Sequence, residues 1–433
     1  METKNLPSPK LHARSRPGGL LRTTCAMRWL VLLLLTLPAV VQAQFIYTTN
    51  NGTITITGYT GPGGVLAIPS TINSLPVTGI GRYTFFGALI SPTSLSIPSS
   101  VTNIHVDAFT YSTSLEEFTV DPDNSNYGSM DGVLFNKSRT TLLRCPPRKT
   151  GNYIIPSSVA NIEDHGFYRC TSLSSLTIPS SVTSIGLLAF AEWGNLTNLT
   201  IPDSVTSIGG GAFAGCTSLA TITIPSGVTT IERFTFHGCT KLTSVMMGSG
   251  VTNIGDQAFG YCASLTNITI PRSVSSIGSV AFYGCNSLAT ITIPSGVSSL
   301  GWEVFRFCPN LSGVYFEGNA PSIDLSTFNG DNAATIYYLP GTTGWGPTIG
   351  GRPTALWKPL VQANDASFGV RTNQFGFSIN WASGRVVVVE ACTDLTQPIW
   401  SPVGTNTLTD GSSYFSDPQW TNHPARFYRL RSL

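Results

Sequence analysis

The sequence predicts a repeat solenoid followed by a small β-rich module. An Ile-Pro pair recurs at intervals of 23 residues, and apolar residues keep fixed positions between these pairs. The period is lost after Trp357, where short strand-like runs replace it. We therefore divide the chain into an N-terminal extension with a signal peptide over residues 1–43, a solenoid over 44–357 and a C-terminal module over 358–433.

Residues 1–43 have the layout of a secretory signal peptide. An apolar run over residues 29–37 follows Arg28, and small residues at Val41 and Ala43 form a cleavage site. We expect cleavage after Ala43 and a start at Met27, because the residues before it are polar and basic. The apolar run is too short to cross a bilayer, so we expect no stable membrane insertion after cleavage.

The charge balance gives no support to nucleic-acid binding. The chain has 24 basic and 22 acidic residues, and residues 1–43 hold six of the basic and one of the acidic ones. The rest of the chain is therefore weakly acidic, with 18 basic and 21 acidic residues. We therefore predict no basic patch that could bind nucleic acid or anionic lipid. From the signal peptide we expect export to the medium, the cell surface or the periplasm.

Each period contains the strand pattern of a leucine-rich repeat. Leucine or isoleucine stands five and two residues before the Ile of the Ile-Pro pair, as at Leu173, Leu176 and Ile178. Side chains alternate across a strand, so these residues point inward and those between them point outward. One coil cannot bury its own apolar edge, so the coils must stack into a parallel β-sheet on the concave side. The Ile-Pro pairs and their equivalents fall at residues 68, 97, 120, 155, 178, 201, 224, 247, 270, 293, 316 and 339.

The second half of each period predicts a short helical turn on the convex side. It reads G-x-x-A-F-x-G-C, as around Phe259, and a cysteine closes most coils. Side chains in such a ladder run parallel, which suits neither a metal ion nor a disulfide, so we predict a buried structural column. Disulfides are the alternative, and whether Cys145 pairs with Cys392 is left open. The cysteines in register are Cys170, Cys216, Cys239, Cys262, Cys285 and Cys308.

These repeats resemble the BspA-like leucine-rich repeats of bacterial surface proteins. The resemblance covers residues 50–357 and rests on the phrase C-T-S-L-x-x-x-T-I-P-x-x-V-T-x-I-G-x-x-A-F. The stretch 121–147 is similar to an insertion that recurs in that family. The resemblance implies adhesion or protein binding without catalysis, and it implies no particular binding residue.

Residues 358–433 predict a small β-sandwich-like module. Strand-like runs over residues 376–381, 385–390 and 413–415 are separated by turn-forming residues. The open end of a solenoid needs a cap, which is the plainest role for this module. Its likeness to modules that close exported bacterial proteins implies anchoring or sorting as the alternative.

The sequence shows no catalytic or metal motif. His165 follows two acidic residues, but no Ser or Cys nucleophile stands with it in a recognisable motif, and a solvated loop explains it as well. The stretch from Asp121 to Asp131 has oxygen ligands at calcium-like spacing, but it lacks the glycine and the glutamate of an EF-hand loop. We interpret it as a turn, and we expect no enzyme activity, no metal and no cofactor.

The outward positions of the concave strands form the candidate binding surface. They are mostly Thr, Ser and Asn, and the C-terminal coils add larger side chains. We expect a protein or glycan partner, with a structural component of the envelope or matrix as the alternative. Threonine also favours strands for structural reasons, and ice binding is a third idea that few T-x-T rows support. The candidate residues are Thr223, Met246, Thr269, Thr292, Tyr315 and Tyr338.

Overall fold

The computed structural model describes residues 44–85, 92–110, 112–330 and 333–432. The signal peptide and start site expected from the sequence lie outside these ranges. Over the described part of the chain, no helix is long and apolar enough to span a membrane.

The first part of the solenoid is irregular and begins with a hairpin. Asn51 and Gly52 both have positive φ, which allows a tight two-residue turn between β1 and β2. β2 then pairs in parallel with β5, where the stacking of coils starts. The strands here are β1 (Phe45–Asn50), β2 (Thr53–Tyr59), β3 (Gly64–Ala67), β4 (Thr71–Ile72), β5 (Leu75–Ile80), β6 (Pro92–Ile97), β7 (Asn103–Ile104), β8 (Glu117–Val120), β9 (Tyr127–Met130), β10 (Val133–Asn136), β11 (Thr141–Arg144), β12 (Gly151–Ile154) and β13 (Asn161–Ile162).

The regular part of the solenoid stacks parallel strands in two series. Longer strands such as β17 and β19 form the concave side, with partners 23 residues apart, as Thr221 and Ser244 are. A second parallel series consists of two-residue strands, as where Ser184 pairs with Ser207 and Thr230 with Asn253. The strands are β14 (Leu173–Thr177), β15 (Ser184–Ile185), β16 (Ser207–Ile208), β17 (Thr221–Ile224), β18 (Thr230–Ile231), β19 (Ser244–Met247), β20 (Asn253–Ile254), β21 (Asn267–Ile268), β22 (Ser276–Ile277), β23 (Thr290–Ile293), β24 (Gly313–Phe316), β25 (Thr335–Tyr338), β26 (Thr348–Ile349) and β27 (Arg352–Leu356).

The convex side consists of single turns that are hydrogen-bonded in two directions. The N–H of Gly260 donates to the carbonyl of Gln257 within the turn, whereas the N–H of Phe259 donates to Ala281 in the next coil. Gln257 and Tyr261 have positive φ, and the N–H groups from Gln257 to Cys262 bond alternately to the next coil and within the turn. Each turn is thereby closed on itself and joined to the next coil.

Phenylalanine rings form a continuous stack through the core. Neighbouring rings have centroids 5.3–5.6 Å apart and planes within 18° of parallel. An aromatic ring buried in this way contributes about 1.5–3 kcal/mol by removal from water. The rings of this Phe column are Phe167, Phe190, Phe213, Phe236, Phe259, Phe282, Phe305 and Phe328.

The cysteines in register are buried beside the Phe column, and none of the eight described cysteines forms a disulfide. The thiol of Cys239 donates to the carbonyl of Phe213 at 3.1 Å, and four other coils repeat this bond. Burial raises the pKa of Cys216 and Cys262 to about 12, which disfavours the reactive thiolate. Cys145 also belongs here, because the Cys170 thiol donates to its carbonyl.

The C-terminal module is built from two antiparallel sheets around their own core. One sheet joins β28, β29, β30 and β33, and the other has the order β32-β31-β34. Their inner faces share residues such as Phe377, Val387 and Phe415, and Leu339 of the solenoid joins the same cluster. The elements are β28 (Leu360–Gln362), β29 (Gly369–Arg371), β30 (Gln374–Asn380), β31 (Val386–Cys392), β32 (Ser401–Thr407), β33 (Ser412–Asp417), a 3-10 turn (Trp420–Asn422) and β34 (Phe427–Ser432).

Candidate functional site

The outward positions of the concave strands form a row along the sheet. Parallel pairing places Thr223 opposite Met246, and Thr292 opposite Tyr315. Thr269 follows Ile268, whose partner is the residue before Met246. The Thr side chains and Met246 are exposed, with Met246 at 65%. These candidate residues therefore share one face, as the alternation of side chains requires.

Tyr338 does not belong to this row, so that assignment was wrong. β25 pairs with β24 at an offset of 22 residues, which places Tyr338 opposite the buried Phe316. A shift of one residue moves a side chain to the other face of a strand. The outward residue is Tyr337, which pairs with Tyr315, whereas Tyr338 stacks on Trp345 at 5.0 Å.

Three aromatic rings close the C-terminal end of the row. Tyr315 stacks on Tyr337 with centroids 4.7 Å apart, and Trp357 packs against Tyr315 at 4.9 Å. Tyr315 is half-buried by these neighbours. Burial raises the pKa of the Tyr315 phenol, so it stays neutral at physiological pH. Tyr315 therefore contributes to a rigid wall and is not a free anchor.

A groove separates this part of the concave sheet from the C-terminal module. It has a volume of about 750 Å³. The sheet contributes Thr269, Thr290 and Thr292, and the module contributes Trp381 and Ser412. We call this space the concave groove. A cleft of several hundred Å³ at the junction of two folded units is a typical ligand site.

Arg272 ties the module to the sheet at the edge of the concave groove. Its guanidinium donates to the backbone carbonyl of Ser383 and lies 3.5 Å from the Glu317 carboxylate. A second contact joins the module to the solenoid, because the Trp381 indole N–H donates to the carbonyl of Trp357 at 2.9 Å. These contacts fix the width of the groove.

Sequence reasoning missed the module half of the groove. Trp381, Asp410 and Ser412 line it together with Trp357, although only the concave strands were considered as a surface. Trp357 and Trp381 could have indicated a binding site here, because tryptophan is frequent at binding sites. The repeat pattern could not predict that the module packs against the concave sheet.

The other two candidate sites are a buried histidine and a hydrogen-bonded turn. His165 is buried, so the solvated-loop interpretation was wrong, and its Nδ1 lies 3.5 Å from Asp107. Asn124 organises the turn of the 121–147 insertion, donating to Pro98 and accepting from the Tyr127 N–H. Within the described ranges, no group of three or more His, Cys, Asp or Glu side chains is arranged to hold a metal ion.

Comparison with known proteins identifies the repeats. The model of the BspA-type leucine-rich-repeat region matches residues 68–150, 147–264 and 207–335, with six copies. These ranges cover more than half of the chain. The chain belongs to the BspA-type leucine-rich-repeat family. No curated protein sequence matches it significantly.

Solved structures of bacterial leucine-rich-repeat proteins are similar to this BspA-type chain. A leucine-rich-repeat protein from Eubacterium ventriosum is 32% identical with a TM-score of 0.52, over 56% of this chain and 64% of that one. This chain thus spans less than two thirds of that relative. A leucine-rich cell surface protein from Faecalibacterium prausnitzii is 26% identical, with a TM-score of 0.42, over 68% of this chain and 93% of that one. The T. pallidum leucine-rich-repeat protein is 28% identical with a TM-score of 0.30, over 52% and 89%.

Proposed function

We propose that this protein is an exported, non-enzymatic binding protein that holds a partner at the cell exterior in its concave groove. The observation that carries the proposal is the groove. It has a volume of about 750 Å³, and exposed threonines of the sheet line it opposite the module. Membership of a family of bacterial surface repeats supports it. The proposal places Thr269 and Thr292 inside the contact, and Thr223 outside it.

The groove is preformed, which favours binding without a large rearrangement. Arg272 and the Trp381 indole hold the module at a fixed distance from the sheet. A partner that enters such a site loses less free energy in ordering the protein than one that binds a mobile surface. The buried cysteines and the neutral tyrosine wall contribute rigidity, and the proposal gives them no chemical role.

The test fills the groove at one position and leaves a matched position open. β17 and β23 share the sequence TITI, but only β23 lines the groove. Labelled protein is measured for binding to immobilised cell-surface and matrix extracts. We expect Thr292→Trp to abolish binding and Thr223→Trp to leave it unchanged, with circular dichroism showing that both variants fold. Normal binding by Thr292→Trp would contradict the proposal, and absence of binding in the parent protein would favour a purely structural role.

A further inference from the structure

We infer that the concave groove takes a neutral oligosaccharide, an inference that rests on the proposed function. The first observation is the chemistry of its floor. Thr269, Thr290 and Thr292 are exposed there, and Asn267 lies in the same row as Thr290. Hydroxyl groups both donate and accept hydrogen bonds, which matches the hydroxyl groups of a sugar.

The module wall repeats the same chemistry. The Ser412 hydroxyl donates to the Asn380 carboxamide oxygen at 3.0 Å, and both residues line the groove. Because the bond uses the carboxamide oxygen, the Asn380 amide N–H groups remain as donors in the lining. Floor and wall thus present small polar groups from opposite sides, as a narrow chain of hydroxylated rings requires.

The charges in the groove are largely compensated. Arg272 lies 3.5 Å from the Glu317 carboxylate and donates to the Ser383 carbonyl through the same nitrogen, Nη2, so its charge is balanced by Glu317. Asp410 remains as the acidic group of the lining. With Arg272, Glu317 and Asp410 the lining has one basic and two acidic side chains, a net charge of −1, which disfavours a second anion. The lining therefore favours an uncharged ligand over a sulfated or uronic polymer.

One aromatic ring supplies the apolar part of the site. Trp357 is half-buried and lines the groove, and Trp381 beside it is buried in the core of the module. The C–H faces of sugar rings pack well on indole rings, while the ring hydroxyls point to the sides. A folded protein surface fits less well, because protein hot spots rely on large anchors such as Arg and exposed aromatic side chains. Here Arg272 is paired with Glu317, and the exposed floor consists of three threonines and Asn267.

The experiment compares two pairs of threonines that share one strand sequence. The protein is titrated by calorimetry with short neutral oligosaccharides of glucose, mannose, galactose and N-acetylglucosamine, and with heparin and polygalacturonate as acidic probes. We expect a neutral oligosaccharide to bind. The double variant Thr290→Val with Thr292→Val should weaken that binding by about 10-fold, because two hydroxyl hydrogen bonds are lost at little cost in volume. The control pair Thr221→Val with Thr223→Val should bind as the parent does.

The outcomes separate this inference from the proposed function. Failure of every neutral oligosaccharide to bind, preference for the acidic probes, or equal binding by both double variants would overturn the inference. The extract assay then decides on the groove itself. If Thr292→Trp still abolishes extract binding, and protease treatment of the extract does the same, the partner is a protein and the proposed function stands. If Thr292→Trp has no effect on any binding, both proposals fail.

Discussion

The regular coils and the C-terminal module handle charge in opposite ways. In the coils, parallel pairing at an offset of 23 residues stacks each side chain on its equivalent, as Ser184 stacks on Ser207. In the module, antiparallel pairing sets Glu390 opposite Arg429 and diagonal to Arg431. The Glu390 carboxylate accepts hydrogen bonds from both arginines, at 2.8 and 2.7 Å.

This difference follows from strand direction. A charged residue at an outward position of every coil would face its own kind in the next coil, and like charges directly opposite are destabilising. Neutral hydroxyl and amide side chains avoid that repulsion, so the concave row is uncharged where the repeat is regular. The same restriction produces the chemistry of the concave groove. The 121–147 insertion interrupts the period, and here the chain buries charged or polar groups: Arg144 of the insertion and His165 of the following coil.

The largest expected effect tests whether stacking in register is what stabilises the coils. Deleting residues 225–247 removes one whole period. Equivalent residues of the remaining coils then stack on one another again, so the shortened protein should fold. Deleting residues 225–236 removes about half a coil and leaves inward positions against outward ones, so this variant should not fold. Circular dichroism and thermal melting distinguish the two. Equal behaviour of both deletions would show that the columns are not the source of stability.

A single ring of the Phe column tests the same idea on a smaller scale. Phe236 is fully buried between Phe213 and Phe259, whereas Phe234 of the same turn is 38% exposed. Phe236→Ala should lower the free energy of unfolding by about 3–5 kcal/mol, because it leaves a cavity in the core. Phe234→Ala should cost far less. Denaturant titration measures both, and a similar cost at the two positions would refute the column.

The module's ion pairs provide the opposite test. The Arg431 and Arg429 guanidinium groups hold the pKa of Glu390 below its usual range. The paired carboxylate therefore stabilises the folded state above the unfolded pKa, and this contribution is lost as the pH falls through the folded pKa. Glu390→Gln should lower the melting temperature at pH 7, with a smaller effect in high salt. Glu232→Gln, at an exposed position of the solenoid, should have little effect at either salt concentration.

The smallest effect concerns His165, which is buried close to Arg144. Burial, reinforced by the nearby Arg144, lowers the pKa of His165 despite the Asp107 carboxylate. The unfolded chain then takes up a proton at a higher pH than the folded chain does. Stability should fall as the pH drops below about 6.5, the ordinary histidine value. His165→Gln should flatten this part of the pH profile of the melting temperature. An unchanged profile, or one flattened equally by His423→Gln, would contradict the assignment of this pH dependence to His165.

The sequence predicted the solenoid well because each 23-residue period determines its own strand and inward positions, and the same pattern recurs in every coil. Leu219, Ile222 and Ile224 are buried as the strand pattern requires, and the β-rich module is present. The pattern failed where the spacing changed by one residue, and Tyr338 was placed on the wrong face for that reason. Only the side of the concave groove that the sheet contributes could be predicted from the sequence. Its floor obeys the period, but its wall depends on where Trp381 and Ser412 are carried by contacts between distant parts of the chain.

The contact between Arg272 and Ser383 joins residues 111 positions apart, and the coils before Asn267 lie outside the groove that it helps to shape. Those earlier coils set a distance and leave the site itself unchanged. Residues 221–228 and 290–297 both read TITIPSGV, which is what copying of a DNA segment would leave behind. Each further copy would move the N-terminal hairpin away by about 4.8 Å, the spacing of neighbouring strands. Evolution could therefore adjust the length of this solenoid in whole-coil steps while the concave groove stays the same.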